Sequence, residues 1–179
     1  MTTIFSQLYT SPIGVMQIGA TDNSLLYIEY DDSPNCQKKV QSVVIALSAT
    51  IVDEPSPYHL EIISELNEYF AGKRKEFSLR LQTIGTDFQQ SVWKSLQTIP
   101  YGTTTSYKAQ SLTMNNPLAI RAIASTNAKN CINIVIPCHR VVGTNGSLTG
   151  YSGGIWRKRW LLDFEQQHST ESHHQISLL

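Results

Sequence analysis

The sequence predicts an α+β fold: an N-terminal antiparallel sheet with a helix, followed by a mostly helical domain that contains a helix-turn-helix. Short apolar segments separated by turn signals fill residues 1–30, which is typical of antiparallel strands. Apolar residues recur every three or four positions in residues 58–70, as in an amphipathic helix. After residue 86, helical patterns alternate with proline and asparagine breakers.

Two turns divide residues 1–30 into three strands. Ser-Pro-Ile-Gly at residues 11–14 and Thr-Asp-Asn-Ser at residues 21–24 carry the residues that turns favour. The segments between them are rich in β-branched and aromatic side chains, which pack well in a sheet. Residues 36–48 mix apolar and polar side chains and are predicted to form a helix.

A second helix is predicted over residues 58–70, where Gly72 suits its C-cap. Its apolar positions are Leu60, Ile63, Leu66 and Phe70. A strand should follow, because apolar and polar residues alternate there. The apolar members of that alternation are Phe77, Leu79 and Leu81. We expect this whole region to act as a scaffold.

The second half opens with a helix after Thr86. This residue is a good N-cap, and Gln89 three positions later completes a capping box. One face of the helix is apolar, formed by Phe88, Val92, Trp93 and Leu96. The helix should stop before Pro100, since proline cannot continue it.

Two short helices follow and outline a helix-turn-helix. The first is predicted over residues 106–114. The second starts with Asn116 as N-cap and Pro117 at the first helical position, and it runs to about residue 127.

The second of these helices is unusual because small residues surround a single charge, Arg121. The small residues are Ala119, Ala122, Ala124 and Ser125. Small side chains let a helix press close to another surface. That surface is either the core of the protein or a narrow groove of DNA, with Arg121 inserted in place of a base. The residues alone leave these two interpretations nearly balanced.

Residues 133–143 place a cysteine, a histidine and an arginine side by side after an apolar run. Residues 134–136 are all β-branched and predict a short buried strand or extended segment, which Pro137 ends. Neighbouring side chains in an extended chain point to opposite faces. Cys138 and His139 therefore need not touch, and a water can link them.

Cys138 is a candidate nucleophile. A cysteine attacks as the thiolate, and positive charge on His139 or Arg140 would lower its pKa. The alternative is a small, buried and unreactive side chain. That alternative suits Cys36 and Cys131, which have no charged pair beside them.

The net charge is zero but unevenly distributed. Residues 86–165 carry eight Lys and Arg against three acids, a net charge of +5. Residues 1–85 carry six against ten, a net charge of −4. This asymmetry suggests that the C-terminal part faces an anion such as DNA, although chance could also produce it.

Composition is that of a soluble globular protein of 179 residues, long enough for one domain or two small ones. No apolar run approaches membrane-spanning length, and the N-terminus lacks a secretion signal. Three cysteines without framework spacing argue against a disulfide scaffold. No cluster of cysteine and histidine has zinc-site spacing. We therefore expect a cytoplasmic protein without a metal.

A long motif extends this interpretation. Residues 136–143, Ile-Pro-Cys-His-Arg-Val-Val-Gly, resemble the active-site signature of the O6-alkylguanine-DNA alkyltransferases. Residues 146–154 and 157–162 continue the same family pattern, and the match is dense from residue 86 to residue 165. The resemblance implies a scaffold domain over residues 1–85 and a DNA-binding and alkyl-acceptor domain over residues 86–165. Residues 166–179 are polar, which predicts a flexible tail.

The resemblance implies a catalytic set for one chemical step. Cys138 would accept an alkyl group from O6-alkylguanine, or from O4-alkylthymine, in DNA. His139, oriented by Glu165, would draw the cysteine proton through a water. Tyr107 would donate a proton to the leaving guanine. Without the resemblance, Glu165 would be interpreted as an exposed helix-end acid and Tyr107 as helix packing.

The resemblance also implies substrate and DNA contacts from Ala119, Arg121, Ala122, Asn130, Arg140, Val141, Tyr151 and Ser152. Arg121 matches the finger that fills the gap left by a flipped nucleotide. Backbone groups of Cys138, Val141 and Ser152 would read the base edge, and Tyr151 would form a wall of the pocket. The expected partner is double-stranded DNA carrying alkylated guanine. We expect a monomer without a cofactor, with cooperative binding to DNA left open.

The chain departs from the family pattern at two places. Asn130 matches the asparagine that ties its segment to the active-site turn, but Cys131 stands where the family usually has proline. Trp156 stands where a small or acidic residue is common. Two other functions stay open: a thiol hydrolase or peptidase that turns over, and a DNA-binding module without catalysis.

Overall fold

The computed structural model describes residues 2–170 and opens with a four-stranded sheet. Strands β1 (Thr2–Ser11), β2 (Gly14–Ala20) and β3 (Leu25–Tyr30) pair in antiparallel fashion, as predicted. A fourth strand, β4 (Ala49–Val52), pairs in parallel with β1, so the sheet is mixed and has the order β3-β2-β1-β4. The sequence analysis did not identify β4, which carries mostly exposed side chains.

Two helices accompany the sheet, and both were predicted. Helix α1 spans Cys36–Leu47, and helix α2 spans Tyr58–Phe70. Gly72 follows α2 with a φ of 72°, a left-handed conformation that glycine adopts without steric cost.

The strand predicted through Phe77, Leu79 and Leu81 is wrong. This segment is extended but makes only one isolated bridge, from Leu81 to Leu25 at the start of β3. Its apolar side chains do pack against the core. Alternating apolar and polar residues show only which side chains are buried. An extended segment that makes no row of backbone hydrogen bonds with a neighbouring strand gives the same sequence pattern.

Helix α3 (Asp87–Leu96) begins at the predicted capping box. The Thr86 hydroxyl accepts a hydrogen bond from the Gln89 amide N–H at 3.3 Å, and the Gln89 side chain accepts one from the Thr86 N–H at 2.9 Å. This satisfies two of the free backbone donors at the helix start.

Helices α4 (Tyr107–Thr113) and α5 (Ile120–Ala128) lie where the sequence predicted two short helices. They are joined by reciprocal hydrogen bonds between the Gln110 and Asn127 side chains. The predicted start of α5 is wrong, because Asn116 does not cap it with its side chain and the helix begins at Ile120. The Asn116 carbonyl instead accepts from the Ala119 N–H in a turn.

Helix α6 (Ile155–Thr170) closes the described chain and continues past Glu165, where the sequence predicted a tail. His168 lies within it, whereas His173 and His174 lie outside the described residues. Within residues 2–170 no group of His, Cys, Asp and Glu could hold a metal ion. No helix of this part is long and apolar enough to cross a bilayer.

The two halves share one hydrophobic core. Buried side chains of the sheet, such as Met16 and Ile28, belong to the same cluster as Ile136, Cys138 and Leu161. Two short parallel strands, β5 (Thr105–Ser106) and β6 (Val141–Val142), join the segments before α4 and after Cys138. The sheet therefore packs against the segment that carries the candidate site.

Candidate active site

Cys138 begins a single 3₁₀ turn, Cys138–Arg140, that follows a buried turn over residues 132–136. The strand or extended segment predicted for residues 134–136 is wrong. Ile134 has a φ of 73°, which a β-branched residue adopts only where the surroundings impose it. The run is buried, as expected, but it folds back on itself instead of pairing with a strand.

Asn130 imposes this geometry on the turn. Its side-chain Nδ2 donates to the Ile136 carbonyl at 2.9 Å, and its Oδ1 accepts from the Ile132 N–H at 2.9 Å. The same Nδ2 lies 3.2 Å from Cys138 Sγ. Asn130 thus ties the turn to the sulfur, even though Cys131 replaces the usual proline.

The Cys138 thiol is only 6% exposed. Burial raises its pKa, while the hydrogen bond from Asn130 and the positive charges of Lys39 and Lys158 oppose that shift. Ionisation of this thiol therefore depends on neighbouring donors and charges.

His139 follows Cys138 in the turn and is completely buried. Its Nε2 is 2.8 Å from Glu165 Oε1, and its Nδ1 has no hydrogen-bond partner among the described residues. Burial lowers the pKa of His139, and Glu165 opposes this shift. Since an ionised carboxylate only accepts hydrogen bonds, Nε2 carries the proton and Nδ1 is free to accept one.

Glu165 is held ionised by several donors. Burial works against its ionisation, but His139 and Arg140 outweigh burial and hold the pKa of this carboxyl well below its usual range. The Tyr69 hydroxyl donates to Oε1 at 2.8 Å, and the Gly102 N–H donates to Oε2 at 3.1 Å. Glu165 is therefore a buried centre of the site, and not an exposed helix-end acid.

Arg140 lies beside Glu165 in the buried part of the site. Its guanidinium is buried and donates to both Glu165 oxygens, from Nε at 2.9 Å and from Nη2 at 3.0 Å. Its Nη1 donates to the Ile99 carbonyl at 2.6 Å. In this structure Arg140 therefore supports Glu165, and its predicted role in substrate or DNA contact stays a prediction.

The segment before α6 forms a second side of the site. The Tyr107 hydroxyl donates to the Thr149 carbonyl at 3.1 Å, and burial raises the pKa of this tyrosine, so it stays protonated. The Tyr151 hydroxyl lies 3.0 Å from the buried Tyr30 hydroxyl. Ser152 accepts a hydrogen bond on its backbone carbonyl from Ser33 Oγ at 3.0 Å.

Sequence reasoning missed Lys158. This lysine is completely buried, and its Nζ donates to the carbonyls of Val141 at 2.6 Å and Thr149 at 2.7 Å. Burial lowers its pKa to about 8. One face of α6 carries residues at a spacing of three and four, namely Lys158, Leu161 and Glu165. This spacing could have predicted that the Lys158 side chain points into the protein.

Arg121 lies apart from the cysteine cluster, on the solvent face of α5. Arg121 and Ala122 are exposed, and Ala119 is half-buried just before the helix. The opposite face carries Ile123, which is buried in the protein together with Thr126 and Asn127. One face of the small-residue helix therefore packs on the core, and the face with Arg121 is free.

Comparison with known proteins gives consistent results. Residues 87–167 match the family model described as the DNA binding domain of 6-O-methylguanine DNA methyltransferase, and residues 4–83 match its ribonuclease-like domain. A methylated-DNA–protein-cysteine methyltransferase from Methanosarcina barkeri is 36% identical over 165 residues, covering 92% of this chain and 99% of the relative. Its counterpart from Mycobacterium tuberculosis is 51% identical over 107 residues, which span only 65% of the relative's length.

The crystal structure of Mycobacterium tuberculosis OGT in complex with DNA resembles the whole fold. Its TM-score is 0.79 at 38% identity, and the match covers 92% of this chain and 94% of that one. The enzyme from Pyrococcus kodakaraensis, at 22% identity and a TM-score of 0.59, shares the fold.

Proposed function

Since the chain belongs to the 6-O-methylguanine DNA methyltransferase family, we propose that it repairs DNA by moving an alkyl group from O6-alkylguanine to Cys138. The observation that carries this proposal is the Cys138–His139–Glu165 arrangement. The thiol begins the turn that holds the imidazole, and the imidazole Nδ1 is unpaired while Nε2 is held by a carboxylate. This is the nucleophile, base and orienting group that thiol activation needs.

The transfer is a single displacement. The thiol proton passes through a water to His139 Nδ1, and the Cys138 sulfur then attacks the alkyl carbon. The new S–C bond forms as the bond from that carbon to guanine O6 breaks. Guanine leaves with the electron pair of the broken bond and takes a proton from the Tyr107 hydroxyl. Tyr107 recovers a proton from solvent, and His139 releases the former thiol proton to solvent, so no net proton is gained or lost. O4-alkylthymine carries the same kind of alkyl ether and is a second substrate.

The damaged base must leave the duplex to reach a sulfur that is 6% exposed. Extrusion costs roughly a few kcal/mol. Arg121, on the free face of α5, would occupy the gap in the stack and offset part of that cost. The protein would act as a monomer on double-stranded DNA.

The reaction should occur once per molecule, because acid–base catalysis does not hydrolyse the thioether formed on Cys138. The test is to incubate the protein with an excess of duplex containing O6-methylguanine and to count repaired lesions. We expect a plateau at one repaired lesion per protein, and no repair by Cys138→Ser. Continued turnover would support a thiol hydrolase instead, and DNA binding without repair would support a binding module.

A further inference from the structure

A buried ion pair connects the N-terminal domain to both segments that flank the candidate site. Lys39, on α1, is 9% exposed, and Glu29, on β3, is not exposed at all. Lys39 Nζ donates to Glu29 Oε1 at 2.8 Å, to the Asn130 carbonyl at 2.5 Å and to Ser152 Oγ at 3.0 Å. All three protons of the ammonium group are therefore used, two of them on the C-terminal domain.

This arrangement is expensive for the fold to maintain. Desolvating two charges costs several kcal/mol per ion, and a well-packed apolar pair would often be at least as stable. Burial raises the pKa of Glu29 to about 7 despite the opposing effects of Lys39 and Asn133. Stability is therefore a weak reason for the pair, which suggests a role in the site.

Asn130 links the Lys39–Glu29 ion pair to the sulfur of Cys138. The Asn130 carbonyl accepts from Lys39, while the Asn130 side chain donates to Cys138 Sγ. Positive charge on Lys39 also favours the ionised form of the thiol. Other ionisable groups that influence or are influenced by the thiol are Glu29 on β3, Lys158 on α6, Tyr30 on β3, Tyr107 on α4 and Tyr151 in the preceding loop.

We propose that Lys39 is a positioning residue for Cys138, with Glu29 as its counter-ion. Its ammonium group holds the Asn130 and Ser152 segments in place, and its positive charge stabilises the thiolate independently of the His139–Glu165 pair. The N-terminal domain then contributes directly to reactivity and is more than a scaffold. This inference rests on the proposed function of Cys138, but it can be tested without DNA.

The test measures the pKa of Cys138 from the pH dependence of its alkylation by iodoacetamide. All variants carry Cys131→Ser, because Cys131 and Cys138 lie between Lys129 and Arg140 and share a tryptic peptide. The compared variants are Lys39→Met, Lys39→Arg, Glu29→Gln and the double variant Glu29→Gln/Lys39→Met. The double variant removes the positive charge without leaving a buried carboxylate, so it controls for misfolding.

We expect Lys39→Met and the double variant to raise the Cys138 pKa by about one unit, equivalent to roughly tenfold less thiolate at neutral pH. The rate of methyl transfer should fall by a similar factor. Lys39→Arg should restore much of it, and Glu29→Gln should not raise the thiol pKa, since it keeps the positive charge.

An unchanged thiol pKa in both variants that lack Lys39 would overturn the proposal, even if repair were slower, because Lys39 would then be only structural. The proposed function fails separately, when the unaltered protein alkylates normally but leaves methylated duplex unrepaired.

Discussion

Glu165 is the residue on which the buried base of the site depends. It accepts hydrogen bonds from His139, Arg140, Tyr69 and the Gly102 backbone. Replacing it removes the group that fixes the imidazole tautomer and also leaves a buried guanidinium without its counter-ion. We therefore expect Glu165 to support both the proposed reaction and the fold.

Glu165→Gln should lower the free energy of unfolding by about 3 kcal/mol or more at neutral pH, because breaking a buried ion pair leaves the other charge uncompensated. Urea unfolding measures this. Asp163→Asn, an exposed acid on the same helix, is the matched control and should change stability little.

The pH dependence has a definite sign. The pKa of Glu165 is lowered in the folded state, so its stabilisation is present above the ordinary glutamate pKa of about 4.3 and is lost as the pH falls through the lower folded value. Glu165→Gln should lose less stability than the unaltered protein over this acidic range. If the free energy of unfolding fell equally with pH in both proteins, Glu165 would not be the group whose protonation destabilises the fold.

Individual residues differ in how far the sequence could predict them. Cys138 and His139 are neighbours, so the motif alone identifies them. Glu165 needed the family resemblance, since only the fold brings α6 to the 3₁₀ turn. The partners of Arg140 and Lys39 could not be predicted. Neither local spacing nor the motif shows which buried carboxylate pairs with a given cation.

At the scale of elements, the two faces of α5 have different surroundings. Ile123 and its buried neighbours attach the helix to the core, while Arg121 and Ala122 face solvent. We propose that the small exposed residues let this helix approach DNA closely, so that Arg121 near its N-terminal end reaches the base stack.

Arg121→Ala should slow repair of O6-methylguanine in duplex DNA far more than reaction with the free modified base, because only the duplex requires base extrusion. Lys129→Ala provides the control, since it removes the same charge just after the other end of α5. Single-turnover rates with both substrates measure the effect. If the reaction rate fell equally with duplex DNA and with the free base, Arg121 would not act as the finger that fills the gap in the stack.

Elements were predictable where one face is buried in a regular way. The capping box located α3, and apolar spacing located the bounds of α2, but Leu60 of the predicted apolar face is exposed, whereas Ile62 and Tyr69 are buried. The turn at residues 132–136 was misjudged, because β-branched residues report burial and strand propensity, whereas the side chain of Asn130 decides the backbone path there. Strand β4 was missed because its side chains are mostly exposed.

At the scale of the whole molecule, the two halves form one unit around the cysteine. Their apolar side chains share a core, and Arg157 on α6 donates to the Ile13 carbonyl at 2.7 Å and to Asp32 at 2.8 Å. The charge asymmetry of the sequence predicts that the C-terminal half faces DNA, which stays a prediction. It could not show that charged residues of the N-terminal half reach the site, because their partners are about a hundred residues away.

The central claim is that one sulfur of this protein takes the alkyl group and keeps it. The most direct measurement is the mass of the intact protein, and of its tryptic peptide 130–140, after incubation with duplex containing O6-methylguanine. We expect one added methyl group, located on Cys138 by fragmentation, with Cys131 unmodified and guanine restored in the DNA. An unmodified peptide beside repaired DNA, or a methyl group on Cys131, would contradict the account.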